Sequence, residues 1–236
     1  DGSTGTYDLT LDVKGKVETN EQKLPVDVLM IVDTSGSMVD DNSPRMGNAK
    51  AAMKTLVNTL EKDQTVDAKY SIVCFDSVTD RTDGRGSSED AKLVKGWSTG
   101  SEILNVIDTN FGSFNGTNYE AGLDKGAEQL LPENGARVDA TQIVLFLSDG
   151  VPSYANNQKY SANGFNFYSD AWKQTTEAAA GITCDRFYSI GIGESADEYL
   201  NLEKGIAHYV NAPVKDYQSS NSTGSNLTTI FEDLAG

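Results

Sequence analysis

Four apolar runs, at 26–32, 70–75, 143–147 and 187–192, stand out from an otherwise polar chain. Apolar residues on consecutive positions mark strands covered on both faces, as in a parallel sheet. Helical spacing lies between the runs. Met46, Ala49, Met53, Leu56, Val57 and Leu60 share one helix face and follow Ser43-Pro44, a helix start. Tyr119 to Leu131 reads as a helix stopped by Pro132, and Phe167 to Ala180 as another. Shorter helices are expected at Ala196 to Ile206 and Ser225 to Leu234, and an edge strand at Lys92 to Trp97. Ahead of all these, Tyr7-Asp8-Leu9-Thr10-Leu11-Asp12-Val13 alternates with period two, the pattern of a half-buried strand. The predicted fold is α/β, with a doubly wound, mostly parallel central sheet flanked by helices and an N-terminal extra β-strand. Residues 1–22 form the extension, and 23–236 form the domain.

Oxygen chemistry gathers where the runs end. Asp33-Thr34-Ser35-Gly36-Ser37 follows the first run, and Ser148-Asp149-Gly150 follows the third. Between them comes Gly116-Thr117-Asn118-Tyr119. In open α/β sheets ligands bind in the crevice at the carboxyl ends of the strands, so Asp33 and Asp149 face it. A hard cation such as Mg²⁺ takes six oxygens at about 2.0–2.1 Å. The hydroxyls of Ser35, Ser37 and Thr117, with the charges of Asp33 and Asp149, supply most of such a shell. A remaining position suits water or a carboxylate from another protein. Gly36 and Gly116 permit tight turns there. Asn118 and Glu120 flank Thr117, where either is expected to support a ligand by a hydrogen bond rather than bind the metal itself, and Asp40 and Asp41 read as solvated loop residues.

Taken together and in this order, the three segments resemble the metal-ion-dependent adhesion site of von Willebrand factor type A domains, over roughly residues 24 to 235. The resemblance implies a Rossmann-like fold and direct ligation by Ser35 and Ser37. It also implies ligation by Thr117 when the site is engaged, with Asp33 and Asp149 acting mainly through water. The implied ion is Mg²⁺, with Mn²⁺ and Ca²⁺ as alternatives, and its remaining position is expected to take an Asp or Glu of a protein ligand. The wording Asp-Val-Leu-Met-Ile-Val-Asp-Thr-Ser-Gly-Ser-Met, the preceding strand and the scarce cysteine are most similar to type A domains of Gram-positive surface and pilus-tip adhesins. That implies a bacterial cell-surface location, stalk domains in a longer chain and a ligand on a host cell or matrix. In integrin-like members the last helix slides on ligation, a role that would fall to Ser225–Leu234.

Composition narrows the classes. The chain has 236 residues, 38% of them apolar, enough for one large domain. No apolar stretch is long enough to cross a bilayer. The formal net charge of −16 argues against nucleic acid and anionic membrane surfaces as partners. No leader pattern is visible at Asp1, as expected of a mature or excised piece. Cys74 and Cys184 are expected as buried thiols, since in the implied fold two strands separate them. A glycan on the Asn115-Gly116-Thr117 sequon would crowd the metal loop, which favours a bacterial source.

Two other functions compete. An intracellular assembly scaffold could hold a subunit through the same site, although the acidic extension fits it worse. An enzyme is disfavoured: the one histidine, His208, is distant in sequence from the site segments, and no Gly-x-Ser-x-Gly elbow occurs. Gly191-Ile192-Gly193-Glu194-Ser195-Ala196 resembles a dinucleotide fingerprint but lies too late in the chain and is explained by a strand-to-helix turn. Asp80 to Asp90 and Pro152 to Phe167 read as inserted loops. In the second, Tyr154, Tyr160, Phe165, Phe167, Tyr168 and Trp172 are expected to pin the loop to the domain rather than form a recognition surface.

Overall fold

In a computed structural model, the described residues are 23–39, 43–77, 90–112, 116–155, 158–159 and 164–235. The expected N-terminal strand, Asp40, Asp41, Asn115, Tyr160, nearly all of the first inserted loop and part of the second lie outside them.

The central sheet has six strands: β1 (Leu24–Asp33), β2 (Val66–Phe75), β3 (Ala91–Ser98), β4 (Thr141–Ser148), β7 (Arg186–Ile192) and β8 (Val214–Ser220). Their spatial order is β3-β2-β1-β4-β7-β8, with β3 antiparallel at one edge and the rest parallel. A two-stranded hairpin, β5 (Tyr154–Ala155) and β6 (Gln158–Lys159), stands apart. The chain builds outward from β1 to β2, then crosses back to lay β4 on the other side of β1. That reversal opens a crevice above the carboxyl ends of β1 and β4.

Residue parity along β1 divides the core. Val28, Met30 and Val32 join one buried cluster with Met53, Leu56 and Val57 of α2 (Arg45–Lys62), Ile103 of α3 (Gly100–Ile107) and Phe231 of α8 (Leu227–Ala235). Leu29 and Ile31 join the other with Leu123 of α4 (Tyr119–Gln129) and Trp172 of α5 (Asp170–Gly181). Both faces are covered, which is why the strand sequences run apolar instead of alternating.

Glycine lets α4 approach the sheet. A Cβ on Gly122 would lie 2.7–3.2 Å from Phe75 side-chain atoms, and one on Gly126 would lie 2.4 Å from Ile31 Cδ1. Phe75 is locked between Tyr119 and Phe146, at ring centroid distances of 5.8 and 5.0 Å. Alanine normally gains about 1 kcal/mol over glycine inside a helix. Here overpacking, costing about 1–3 kcal/mol, outweighs that gain. Gly122→Ala is therefore expected to lower the melting temperature, and a rise would show that α4 can shift.

Three sequence expectations need correction. The helix expected from Ala196 to Ile206 is broken into a 3₁₀ turn (Glu194–Ala196), α6 (Asp197–Leu200) and α7 (Ile206–Tyr209). Asn201 Oδ1 accepts the backbone N–H groups of Glu203, Lys204 and Gly205 at 3.0–3.2 Å, capturing donors that a continuing helix would use. Helix α3 was not anticipated, although Thr99 and Glu102 form a capping box at its start. Nor was β8, whose sequence Val-Lys-Asp-Tyr-Gln-Ser-Ser carries no apolar run because it is an edge strand. Cys74 and Cys184 are free and buried, on or beside strands β2 and β7 with β1 and β4 between.

Candidate metal site

Asp33 is the last residue of β1 and fully buried. Its Oδ1 accepts the Ser35 N–H at 2.7 Å, which folds the chain back so that Ser35 follows closely. Its Oδ2 accepts the Ser148 hydroxyl from the end of the adjacent strand β4. Gly36 then opens a single helical turn, α1 (Gly36–Val39), which sets Ser37 one turn above the strand end. The hydroxyls of Ser35 and Ser37 lie 3.3 Å apart.

Asp149 reaches the same place from β4. Its Oδ1 accepts the Ser37 hydroxyl at 2.8 Å, across 112 residues of sequence. Thr117 completes the group: a Cβ on Gly150 would lie 3.4 Å from Thr117 Oγ1 and 3.8 Å from Ser37 Oγ. All five expected side chains thus gather at the reversal point of the sheet. Four belong to buried residues, and Ser37 is exposed at the mouth.

Thr117 is fixed by contacts that its sequence neighbourhood does not show. The Ser153 and Tyr154 N–H groups both donate to the Thr117 carbonyl, at 2.9 and 3.1 Å, and the Thr117 N–H donates to Ser153 Oγ. The start of the inserted loop therefore clamps the threonine. Gly116 serves this clamp by close approach, since a Cβ there would meet the Tyr154 ring at 2.4 Å. Asn118 caps α4 by accepting the Ala121 N–H, and its amide donates to Asp90 Oδ2, which also accepts the Ser77 hydroxyl. Asp90, at the end of a segment read as exposed loop, is buried and braces the Thr117 turn. Tyr119 donates its hydroxyl to the Gly150 carbonyl at 2.7 Å, and burial pushes its phenol well above the usual range, so it remains a donor.

Also missed by sequence is Arg45, at the start of α2. Its guanidinium pairs with Asp149 Oδ2. No local pattern around residue 45 could show this, because the partner is 104 residues away.

Two buried acids share this crevice. Burial, and then the nearby charge of Asp149, raise the Asp33 carboxyl to about 7, against opposing hydrogen bonds from Ser148 and Ser35. Burial also raises Asp149, offset in part by Ser37 and Arg45. Two desolvated carboxylates beside three hydroxyls make a place where a cation is welcome. The donors are all oxygen, which suits hard cations such as Mg²⁺, Mn²⁺ and Ca²⁺. Among the described residues no three His, Cys, Asp or Glu side chains come together, so hydroxyls must supply much of any shell. His208 sits on α7, bonded to the Leu202 carbonyl. Four of the loop aromatics pack as expected, with Tyr154, Phe165 and Trp172 buried and Phe167 stacked on Tyr199; Tyr168 does not, standing 99% exposed.

Comparison with known proteins agrees with this architecture. The family model described as von Willebrand factor type A domain matches residues 27–204. No curated protein matches the chain. Among solved structures, the PilB minor pilin of Streptococcus sanguinis is similar with a TM-score of 0.65 and 16% identity, over 90% of this chain and 61% of that one. The pilus adhesin SpaC of Lactobacillus rhamnosus GG is similar with a TM-score of 0.62 and 18% identity, over 91% of this chain and 30% of that one. Proximal thread matrix protein 1 of the mussel byssus, solved with a zinc-occupied MIDAS motif, has a TM-score of 0.60 and 18% identity, over 90% of this chain and 48% of that one. The chain spans between about a third and three fifths of these relatives, and at such identities the likeness is one of fold.

Proposed function

We propose that this chain, which belongs to the von Willebrand factor type A domain family, is a metal-dependent adhesion module that captures a carboxylate of a partner protein. The observation that carries the reading is the convergence of Asp33, Ser35, Ser37, Thr117 and Asp149 from three separated segments onto one strand-end crevice. Ser35, Ser37 and Thr117 would hold the ion, and Asp33 and Asp149 would neutralise it. The bound ion supplies a Lewis-acidic position open to a partner Asp or Glu. With only two carboxylates against a divalent charge, and one of them already shared with Arg45, the site keeps positive character toward an incoming acid. The pilin and adhesin relatives support placement on a Gram-positive cell surface within a longer, multidomain chain, where the module binds and does not catalyse.

The test is cation-dependent stability and binding. A divalent ion must displace the proton from Asp33, whose folded carboxyl titrates near 7 against 3.8 as its ordinary value. At pH 8 that proton is already gone; at pH 5.5 it must be expelled. Mg²⁺ or Mn²⁺ is therefore expected to raise the melting temperature more at pH 8 than at pH 5.5. At pH 8, binding to immobilised matrix proteins should be lost in chelator, restored by Mg²⁺ or Mn²⁺, and absent in Thr117→Ala. Adhesion unchanged by chelator or by Thr117→Ala would refute the metal bridge.

A further inference from the structure

We propose that Arg45 is a built-in competing cation that sets how tightly the site holds a divalent ion. The inference rests on the metal reading above and concerns a residue outside the five proposed ligands. Asp149 is shared on both sides: Ser37 donates to Oδ1, and the Arg45 guanidinium pairs with Oδ2. The arginine is held there by two further bonds. Its Nε donates to the Ser222 carbonyl at 2.8 Å, and Nη1 lies 3.5 Å from the Ser37 carbonyl. One α2 turn on, Asn48 Nδ2 donates to the Thr223 carbonyl at 2.8 Å, so the helix start and the turn before α8 brace each other. The guanidinium is not a chance surface contact that could swing away at no cost.

Its charge falls on the part of the site that a dication uses. Asp33 and Asp149 together offer two negative charges, and Arg45 cancels one of them. Asp149's side chain is fully buried and Arg45's is 28% exposed, so screening weakens the cancellation without removing it. A divalent ion among Ser35, Ser37 and Thr117 must therefore share Asp149 with a positive neighbour. Lowering the site's net anionic charge weakens the hold on the metal and leaves the metal less neutralised toward an outside carboxylate. Arg45 thus acts on the ion through Asp149, as an affinity-setting residue and not a ligand.

Mn²⁺ titration of the protein at pH 8, followed by electron paramagnetic resonance of the free ion, tests this with two variants. Arg45→Gln removes the charge and keeps a helix-favouring side chain; Arg45→Lys keeps the charge and loses the planar fork. Arg45→Gln is expected to bind Mn²⁺ about tenfold more tightly than wild type, equivalent to about 1.4 kcal/mol. Arg45→Lys should stay within about threefold of wild type. Equal or weaker binding by Arg45→Gln overturns the proposal, as does Arg45→Lys binding as tightly as Arg45→Gln, which would make geometry the cause. A wild-type protein that takes up no Mn²⁺ or Mg²⁺ fails earlier and refutes the metal site itself, an outcome distinct from an Arg45 effect of the wrong sign.

Discussion

Asp33→Asn is expected to weaken Mn²⁺ binding on the order of 100-fold while raising the melting temperature of the chelated protein at pH 8. The two effects have opposite signs because one carboxylate causes both. Asp33 is wholly buried, and its folded carboxyl titrates near 7, above its ordinary 3.8. A carboxyl raised in this way favours the fold while protonated. As pH climbs from about 4 the unfolded chain loses its proton first, and the cost to the folded chain grows until it is complete above 7. At pH 8 the native protein therefore holds an ionised, desolvated group that asparagine replaces with a neutral one. The amide oxygen can still accept the Ser35 N–H, and the amide nitrogen can donate to Ser148 Oγ, so the local turn survives. A gain of about 1 kcal/mol would raise the melting temperature by roughly 2–4 °C in a domain of this size. The loss of metal binding follows from removing one of two anions; changes to groups that only support a metal site already cost about 10–100-fold. Wild-type Mn²⁺ affinity in Asp33→Asn would remove Asp33 from the site. A lower melting temperature in chelator at pH 8 would show that its charge is not a burden on the fold.

Local chemistry made the interior strands and the five-residue cluster legible, and long-range geometry hid the rest. Strands β1, β2, β4 and β7 are covered on both faces, so their burial is written on consecutive residues. Strand β8 is paired along one edge only and its residues are mostly half-buried, and its polar sequence carries no comparable mark. Asp33, Ser35 and Ser37 are fixed by a two-residue turn and one helical turn, and a short motif captures both. Arg45 and Asp90 gain their meaning from partners 104 and 28 residues away, which no window of sequence displays. The second inserted loop reads as a segment pinned down by its aromatics, yet Ser153 and Tyr154 hold Thr117 in place through backbone N–H groups whose donation no side-chain pattern announces. Asp27 is hidden differently: it stands inside a run read as apolar because its neighbours are, and only its partner explains it.

That partner is Arg137, and Arg137→Met is expected to be the most destabilising single change considered for this domain. Asp27 lies near the start of β1 and is fully buried. Arg137 donates to it twice, from its backbone N–H to Oδ2 at 2.7 Å and from Nε to Oδ1 at 2.8 Å. The same guanidinium bonds Asp67 Oδ2 at 2.7 Å and the carbonyls of Val26 and Asp67 at 2.9 Å, so it sews β1 to β2. Methionine leaves a buried carboxylate without its counter-charge, which costs about 3–5 kcal/mol, and lowers the melting temperature by roughly 10 °C. The origin of the loss can be checked in the double variant Asp27→Asn with Arg137→Met. The amide removes the stranded charge and still accepts the Arg137-position N–H, so most of the stability should return. Asp27 sits six residues before Asp33 on a strand rising about 3.3 Å per residue, some 20 Å from the crevice. Mn²⁺ affinity measured on the folded fraction of Arg137→Met should therefore equal that of wild type, the reverse of the Asp33→Asn result. A loss below about 1 kcal/mol would mean that the Arg137 side chain does not hold this end of the sheet together; a large loss with no recovery in the double variant would mean that its bonds to Asp67 and the Val26 carbonyl, and not the charge on Asp27, do so.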